Sequence, residues 1–228
     1  MVVRTLIGCS IAALLGLLPA TASRAQTTQF LPEVNTYVKL NSELRFAFQA
    51  KQTRENGEPT EGEVGPSMQF YWKPLKPLLQ HHVDEARKRF ILVSAGYRYL
   101  PSLYAPVVNR VLTEATPRVP LGSKLVLLDR NRGELNFSSN QHTWRYRNRL
   151  RLEREFAIHS YHPTPYASAE FFYDTKYAKW SSTTIDAGCQ FPIRKHSEID
   201  AYYEHQNNTG KRPNQRIDAL GLGLNLYF

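Results

Sequence analysis

The 228 residues suffice for one domain of ordinary size, and an apolar fraction of 42% fits a soluble domain and a small barrel alike, since only alternate residues of a barrel strand need be apolar. Beyond residue 25 no stretch is long and apolar enough to cross a bilayer as a helix, which excludes a helical membrane protein. The net charge of +9 at pH 7 raises the question of a nucleic-acid partner, and its pattern argues against one: the arginines alternate along extended segments instead of clustering on a helix.

The N-terminus has the arrangement of a secretory signal. Arg4 precedes the apolar run Leu6 to Ala20, and Ser23-Arg24-Ala25 before Gln26 places small residues at the two positions a signal peptidase reads. Residues 1–25 are therefore expected to be removed, leaving 26–228 as one domain. Cys9 stands before most of the apolar run, so lipidation there is not expected. Cys189 is then the sole cysteine of the mature chain. An exported protein without an intramolecular disulfide draws its stability from elsewhere, and barrel closure supplies it.

Taken in order, Phe30 to Leu40 reads as a strand and Asn41-Ser42 as a tight turn into Glu43 to Thr53, where Leu44, Phe46, Phe48 and Ala50 oppose Arg45, Gln49 and Lys51. Arg54 to Glu63 reads as a polar loop punctuated by glycine and proline. Val64 to Trp72 is the next strand, with Met68, Phe70 and Trp72 on one side. Pro74 and Pro77 interrupt Lys73 to Lys88, where Leu78 to Arg87 fits a short helix or a connection at a membrane surface. Strands resume at Arg89 to Leu100, with Ile91, Val93, Ala95, Tyr97 and Tyr99 on one face, and at Val107 to Thr116, before Pro117 to Ser123 turns the chain.

Lys124 to Phe156 is the most patterned stretch, two long strands joined at Ser138 to Gln141. In the second, one face carries Arg145, Arg147, Arg149, Arg151 and Glu153, and the other Trp144, Tyr146, Leu150 and Leu152. A period of two is a strand signature, because successive side chains point to opposite faces. A transmembrane strand of about 9 to 11 residues turns its apolar face to lipid and its polar face to a lumen, with aromatics near the interfaces. Tyr166 to Tyr173, Ser181 to Phe191 and Ser197 to Gln206 repeat the pattern, separated by Ala157 to Pro165, Asp174 to Trp180 and Pro192 to Lys195. After the loop Asn207 to Asn214 comes the last strand, where Leu220, Leu222, Leu224, Leu226 and Phe228 share one face. Alternate apolar residues ending on phenylalanine resemble the signal by which outer-membrane barrels are recognised for insertion.

These segments number eleven, whereas a single-chain bacterial barrel carries an even number of strands. The expected architecture is therefore an all-β, single-chain antiparallel transmembrane β-barrel of twelve strands, with one concealed in Lys73 to Lys88, or of ten if the first segment does not cross. A soluble sandwich or lipocalin-like barrel is the alternative, since alternation alone does not require lipid.

The run Trp144-Arg145-Tyr146-Arg147-Asn148-Arg149-Leu150, the preceding Asp129-Arg130-Asn131-Arg132 and the stretch Tyr202-Tyr203-Glu204-His205-Gln206-Asn207 together resemble the DUF2490 family of bacterial outer-membrane proteins, across nearly the whole mature chain. The resemblance implies a barrel in the bacterial outer membrane and implies no activity, substrate or catalytic residue.

The strongest chemical feature is a proposed luminal charge network in which Arg130, Arg132, Arg145, Arg147, Arg149 and Arg151 meet Glu134, Glu153, Glu170, Asp186, Glu198, Asp200 and Glu204. Charges confined in a narrow barrel are costly unless paired, and guanidinium groups bridge carboxylates in a two-pronged fashion. Such a network reads as a structural brace, or as the lining of a narrow passive conduit that favours small anionic solutes. Outer-membrane lipids and the barrel-assembly machinery are the other expected partners. A lipid hydrolase or acyl-modifying enzyme would need a nucleophile and base in reach. Only His142 beside Ser138, Ser139 and Asn140, and His196 beside Ser197 and Glu198, offer such neighbours, and no catalytic residue is assigned. A loop-mediated adhesion role is the third possibility. His159 and His162, with His81 and His82, lack a converging third ligand, so no metal or cofactor is expected. Trp72, Trp144 and Trp180 suit interface anchors, and Cys189 a lipid-facing position.

Overall fold

The computed structural model describes residues 27–72, 84, 87, 89–122, 124–139, 141–210 and 214–228. The expected signal segment, His81, His82 and most of Lys73 to Lys88 lie outside the described residues. The chain forms β1 (Thr27–Lys39), β2 (Leu44–Glu55), β3 (Glu58–Trp72), β4 (Ile91–Leu100), β5 (Val108–Gly122), β6 (Leu125–Ser138), β7 (Gln141–Arg154), β8 (Thr164–Asp174), β9 (Lys179–Arg194), β10 (Ser197–Asn208) and β11 (Gln215–Tyr227). No α-helix occurs among the described residues.

These strands close into one barrel in which each pairs with its sequence neighbours and β1 closes the ring against β11. Consecutive pairs are antiparallel, as short hairpins require. The closing pair is parallel, in register from Thr27 opposite Ile217 to Tyr37 opposite Tyr227. Parallel closure follows from the number of strands. When direction alternates round a ring, an odd count brings the first and last strands together pointing the same way.

The described strands thus number eleven, which corrects the expectation of twelve or ten. The alternation itself marked eleven segments, and the even-number rule displaced that count. In the ring β3 pairs directly with β4, Trp72 opposite Ile91, so no strand stands between them among the described residues. The first segment is a full member of the ring, bonded on both edges.

The hairpins are tighter than the sequence reading had them. The stretch read as a loop from Arg54 to Glu63 is mostly strand, with Glu55 facing Glu58 across Asn56 and Gly57. Both turn residues have positive φ, 51° and 87°. This is the Asn-Gly signature of a turn whose twist matches the flanking strands, a signal that the polar composition masked. Likewise β5 continues through Pro117 to Gly122, where a turn was expected.

Alternation sets the two faces of the wall. Glu134 and Glu170 are almost fully buried inside, while Leu220 (60% exposed) and Ile185 (58%) cover the outside. A soluble barrel hides apolar residues within and shows polar ones. This barrel does the reverse, and buried hydrophobic clusters are confined to pairs such as Tyr71 with Leu92 and Val126 with Leu128.

Candidate functional site

The polar interior begins with the register of β6 and β7, which sets Arg130 opposite Arg149 and Arg132 opposite Arg147. Like charges directly opposite repel. Three carboxylates offset that repulsion. Glu170, on β8, accepts from Arg147 Nε at 2.9 Å and Nη2 at 3.1 Å, from Arg149 Nη2 at 2.6 Å and from Arg130 Nη2 at 2.7 Å. Glu134, on β6, lies 3.0 Å from Arg147, 3.4 Å from Arg110 and 3.8 Å from Arg132. Glu114, on β5, lies 2.7 Å from Arg132 and 3.9 Å from Arg130. Glu63, on β3, continues the chain to Arg98 at 3.6 Å and Arg110 at 3.5 Å. Ion pairs therefore run round the interior from β3 to β8.

Two residues of the β3–β4 connection enter the same interior. Asp84 is 2.5 Å from Arg45 on β2, and Arg87 pairs with Glu153 on β7. Both are buried. Strands β2 and β7 stand on opposite sides of the ring, so these pairs bridge the barrel near one rim. The expectation of a surface connection is corrected at these two positions, because each carries a charge that the barrel's opposite charges can neutralise out of bulk water.

The remaining wall differs. Asp186 accepts from Ser168 Oγ at 2.7 Å, and Asp200 from Tyr166 Oη at 2.8 Å and Gln190 Nε2 at 3.2 Å. Glu198 accepts from Asn225 Nδ2 at 3.1 Å. On β1, Glu33 accepts from Asn35 and Gln49, each at 2.7 Å. Glu204 also faces inward. Arg145 pairs with Asp174 at 2.8 Å near the far rim, and Arg151, 3.3 Å from Glu153, lies over the Tyr166 ring at 3.4 Å.

Between the arginine wall and the acid wall lies a cavity of about 180 Å³. A second, of about 240 Å³, shares Arg130, Arg132, Arg149, Arg151 and Glu33 with it and extends to Asp84 and Arg87. All thirteen charged positions singled out in the sequence are inward, but they divide into a braced group on β6 to β8 and an acidic group on β9 and β10. Sequence reasoning missed Glu33, Glu63, Arg98, Arg110, Glu114 and Arg118. The same alternation marks Arg98, since Tyr97 and Tyr99 face outward, and it marks Arg110 to Arg118 on β5.

The outer wall carries its own features. Leu220, Leu222, Leu224, Leu226 and Phe228 share the outer face of the last strand, and Cys189 is half-buried. Trp144, Tyr146, Tyr173 and Trp180 form an aromatic cluster near one rim, while Trp72 stands exposed near the other. Amid this apolar surface Asn148 Nδ2 donates to Asp129 at 2.6 Å and to Asn131 at 3.1 Å, and Tyr146 Oη donates to Asn131 at 2.5 Å. The two arginine-rich motifs thus meet on both faces of the wall, guanidinium groups inside and amides with the Asp129 carboxylate outside.

Neither histidine weighed for hydrolysis is joined to a serine. His142 packs edge-on against Phe137, and His196 Nδ1 lies 2.9 Å from the Tyr227 carbonyl. No cluster of metal-ligating side chains occurs among the described residues.

Fold and interior together define a closed β-barrel with a charged inside and an apolar outside. The sequence model of DUF2490, described as a protein of unknown function, matches residues 28–216, and the chain belongs to that family. No curated protein sequence matches it. Among solved structures it is similar to one titled "Bacterial polysaccharide outer membrane secretin", at 9% identity and a TM-score of 0.48, over 78% of this chain and 62% of that one. The chain therefore spans less than two thirds of that structure's length.

Proposed function

We propose that this chain is a bacterial outer-membrane barrel without catalytic chemistry, serving as a narrow conduit for small polar solutes. The observation that carries this reading is the inversion of the wall, with glutamates buried inside and leucine, isoleucine and tryptophan exposed outside. In water such a surface would be a large unshielded apolar belt, whereas lipid solvates it. Paired charges inside hold a barrel open against collapse and keep a hydrated path. The neighbouring cavities between the walls supply that path, narrowed where Asp84 and Arg87 bridge the ring. The anion preference expected of the arginines is opposed by the acid wall, so ion selectivity is expected to be weak.

The leucine row ending on Phe228 supports insertion by the barrel-assembly machinery. The conduit reading is tested by single-channel recording of the refolded mature chain in a planar bilayer. Small, stable openings are expected. A correctly folded barrel that stays silent would overturn it and leave the ion pairs as an internal brace.

A further inference from the structure

The two walls of the central cavity are not only opposite in charge; each retains hydrogen-bonding capacity directed at a missing complement. On the arginine wall, Arg151 Nη2 and Arg130 Nε are buried donors without a hydrogen-bond acceptor among the described residues. On the acid wall, Asp186, Asp200 and Glu204 have no cationic partner within ion-pair distance among the described residues, and the bonds to Asp186 and Asp200 come from neutral Ser168, Tyr166 and Gln190. Asp186 and Glu204 are directly opposed in the β9–β10 register, a like-charge pairing that costs stability unless something positive comes between them.

An ammonium placed against Asp186 and Glu204 supplies the positive charge that this opposed pair lacks. Tyr166 and Tyr202 line the same cavity, and Arg151 lies over the Tyr166 ring. Lys51, which also lines it, stands on β2 opposite Glu33 and forms no ion pair with Asp186, Asp200 or Glu204.

The geometry points to a binding site for a small zwitterion of the amino-acid class, its ammonium on the Asp186, Asp200 and Glu204 wall and its carboxylate toward Arg130 and Arg151. A cavity of about 180 Å³ limits the ligand to a few heavy atoms. An anion alone would leave the acid wall uncompensated, and a cation alone would leave the arginine donors unfilled. The inference rests on the reading that the interior is open to small solutes.

The test uses three probes of matched length, 4-aminobutanoate, butanoate and 1-aminobutane, titrated calorimetrically into the refolded mature chain in detergent. The zwitterion is expected to bind about tenfold or more tightly than either singly charged probe, as complementary charge at both ends requires. Glu204→Gln and Asp186→Asn are each expected to weaken it by about tenfold. The Glu204 side chain makes no hydrogen bond or ion pair among the described residues, so its replacement is expected to leave the fold intact, which the heat-dependent shift in gel mobility verifies. Equal binding of the three probes, no binding by a folded barrel, or unchanged binding by Glu204→Gln would each overturn the site. A barrel that conducts but does not bind would overturn this inference alone. One that binds but does not conduct would support the site and overturn the conduit.

Discussion

Arg147 grips Glu170 in a two-pronged hydrogen bond, Nε to Oε1 at 2.9 Å and Nη2 to Oε2 at 3.1 Å, while its remaining Nη1 reaches Glu134 at 3.0 Å. One guanidinium thereby ties β7 to both neighbouring strands. Breaking a buried charge pair from one side leaves the other charge uncompensated, at a cost of about 3–5 kcal/mol. Glu170→Gln, which removes the carboxylate shared by Arg130, Arg147 and Arg149, is expected to lose stability on that scale, measured by reversible urea unfolding in lipid vesicles. Glu204→Gln is expected to change stability by less than about 1 kcal/mol, in line with an unpaired site. Equal losses would show that the network does not hold the wall together.

Asp84 and Arg87 bridge opposite sides of the ring near one rim. Replacing both by alanine removes charge and bulk from the path, and single-channel conductance is expected to rise by roughly twofold as a constriction is relieved. Unchanged conductance would place the narrowest point elsewhere.

Leu222 is 46% exposed on the outer wall and lies within the leucine row of β11. Leu222→Arg is expected to cost about 2–4 kcal/mol in a bilayer, the penalty for arginine on the lipid face near mid-depth. Unfolding measurements in vesicles give the value. A cost near zero would mean that this face does not meet hydrocarbon.

Gly65 sits where β3 and β4 come unusually close. A Cβ there would fall 2.1 Å from the carbonyl oxygen of Tyr97, whereas the nearest atom to a Cβ at Gly223 is 3.5 Å away. Gly65→Ala is expected to destabilise by about 1–3 kcal/mol or more, as overpacking does, and Gly223→Ala to be nearly neutral. Comparing the two urea midpoints checks this, and similar midpoints would mean that the strands separate freely.

The faces of the wall were legible because alternation is a local property. Arg145 to Glu153 declares its pleat without reference to any other strand, and so does the row from Leu220 to Phe228. The strand count was legible too, until a rule about other barrels displaced it. What the sequence concealed is relational. That Glu170 serves three arginines from two strands depends on register, and that Asp84 and Arg87 reach β2 and β7 depends on a connection rich in proline and without alternation. The division of the interior into a braced wall and an acid wall appears only once the ring is closed and distances are known. Asn56-Gly57 is a different omission: its signal was present, in a segment whose polarity suggested a loop.

The parallel seam between β1 and β11 governs the order of assembly. Every other pairing joins consecutive segments and can form as the chain is laid down, hairpin upon hairpin. At the seam, Asn35 meets Asn225 across a separation of 190 residues. Contacts so distant in sequence carry the largest loop-closure entropy and form slowly. The seam is therefore the pairing with the largest closure cost in the ring, and until it forms the sheet has two raw edges, one on its first strand and one on its final one.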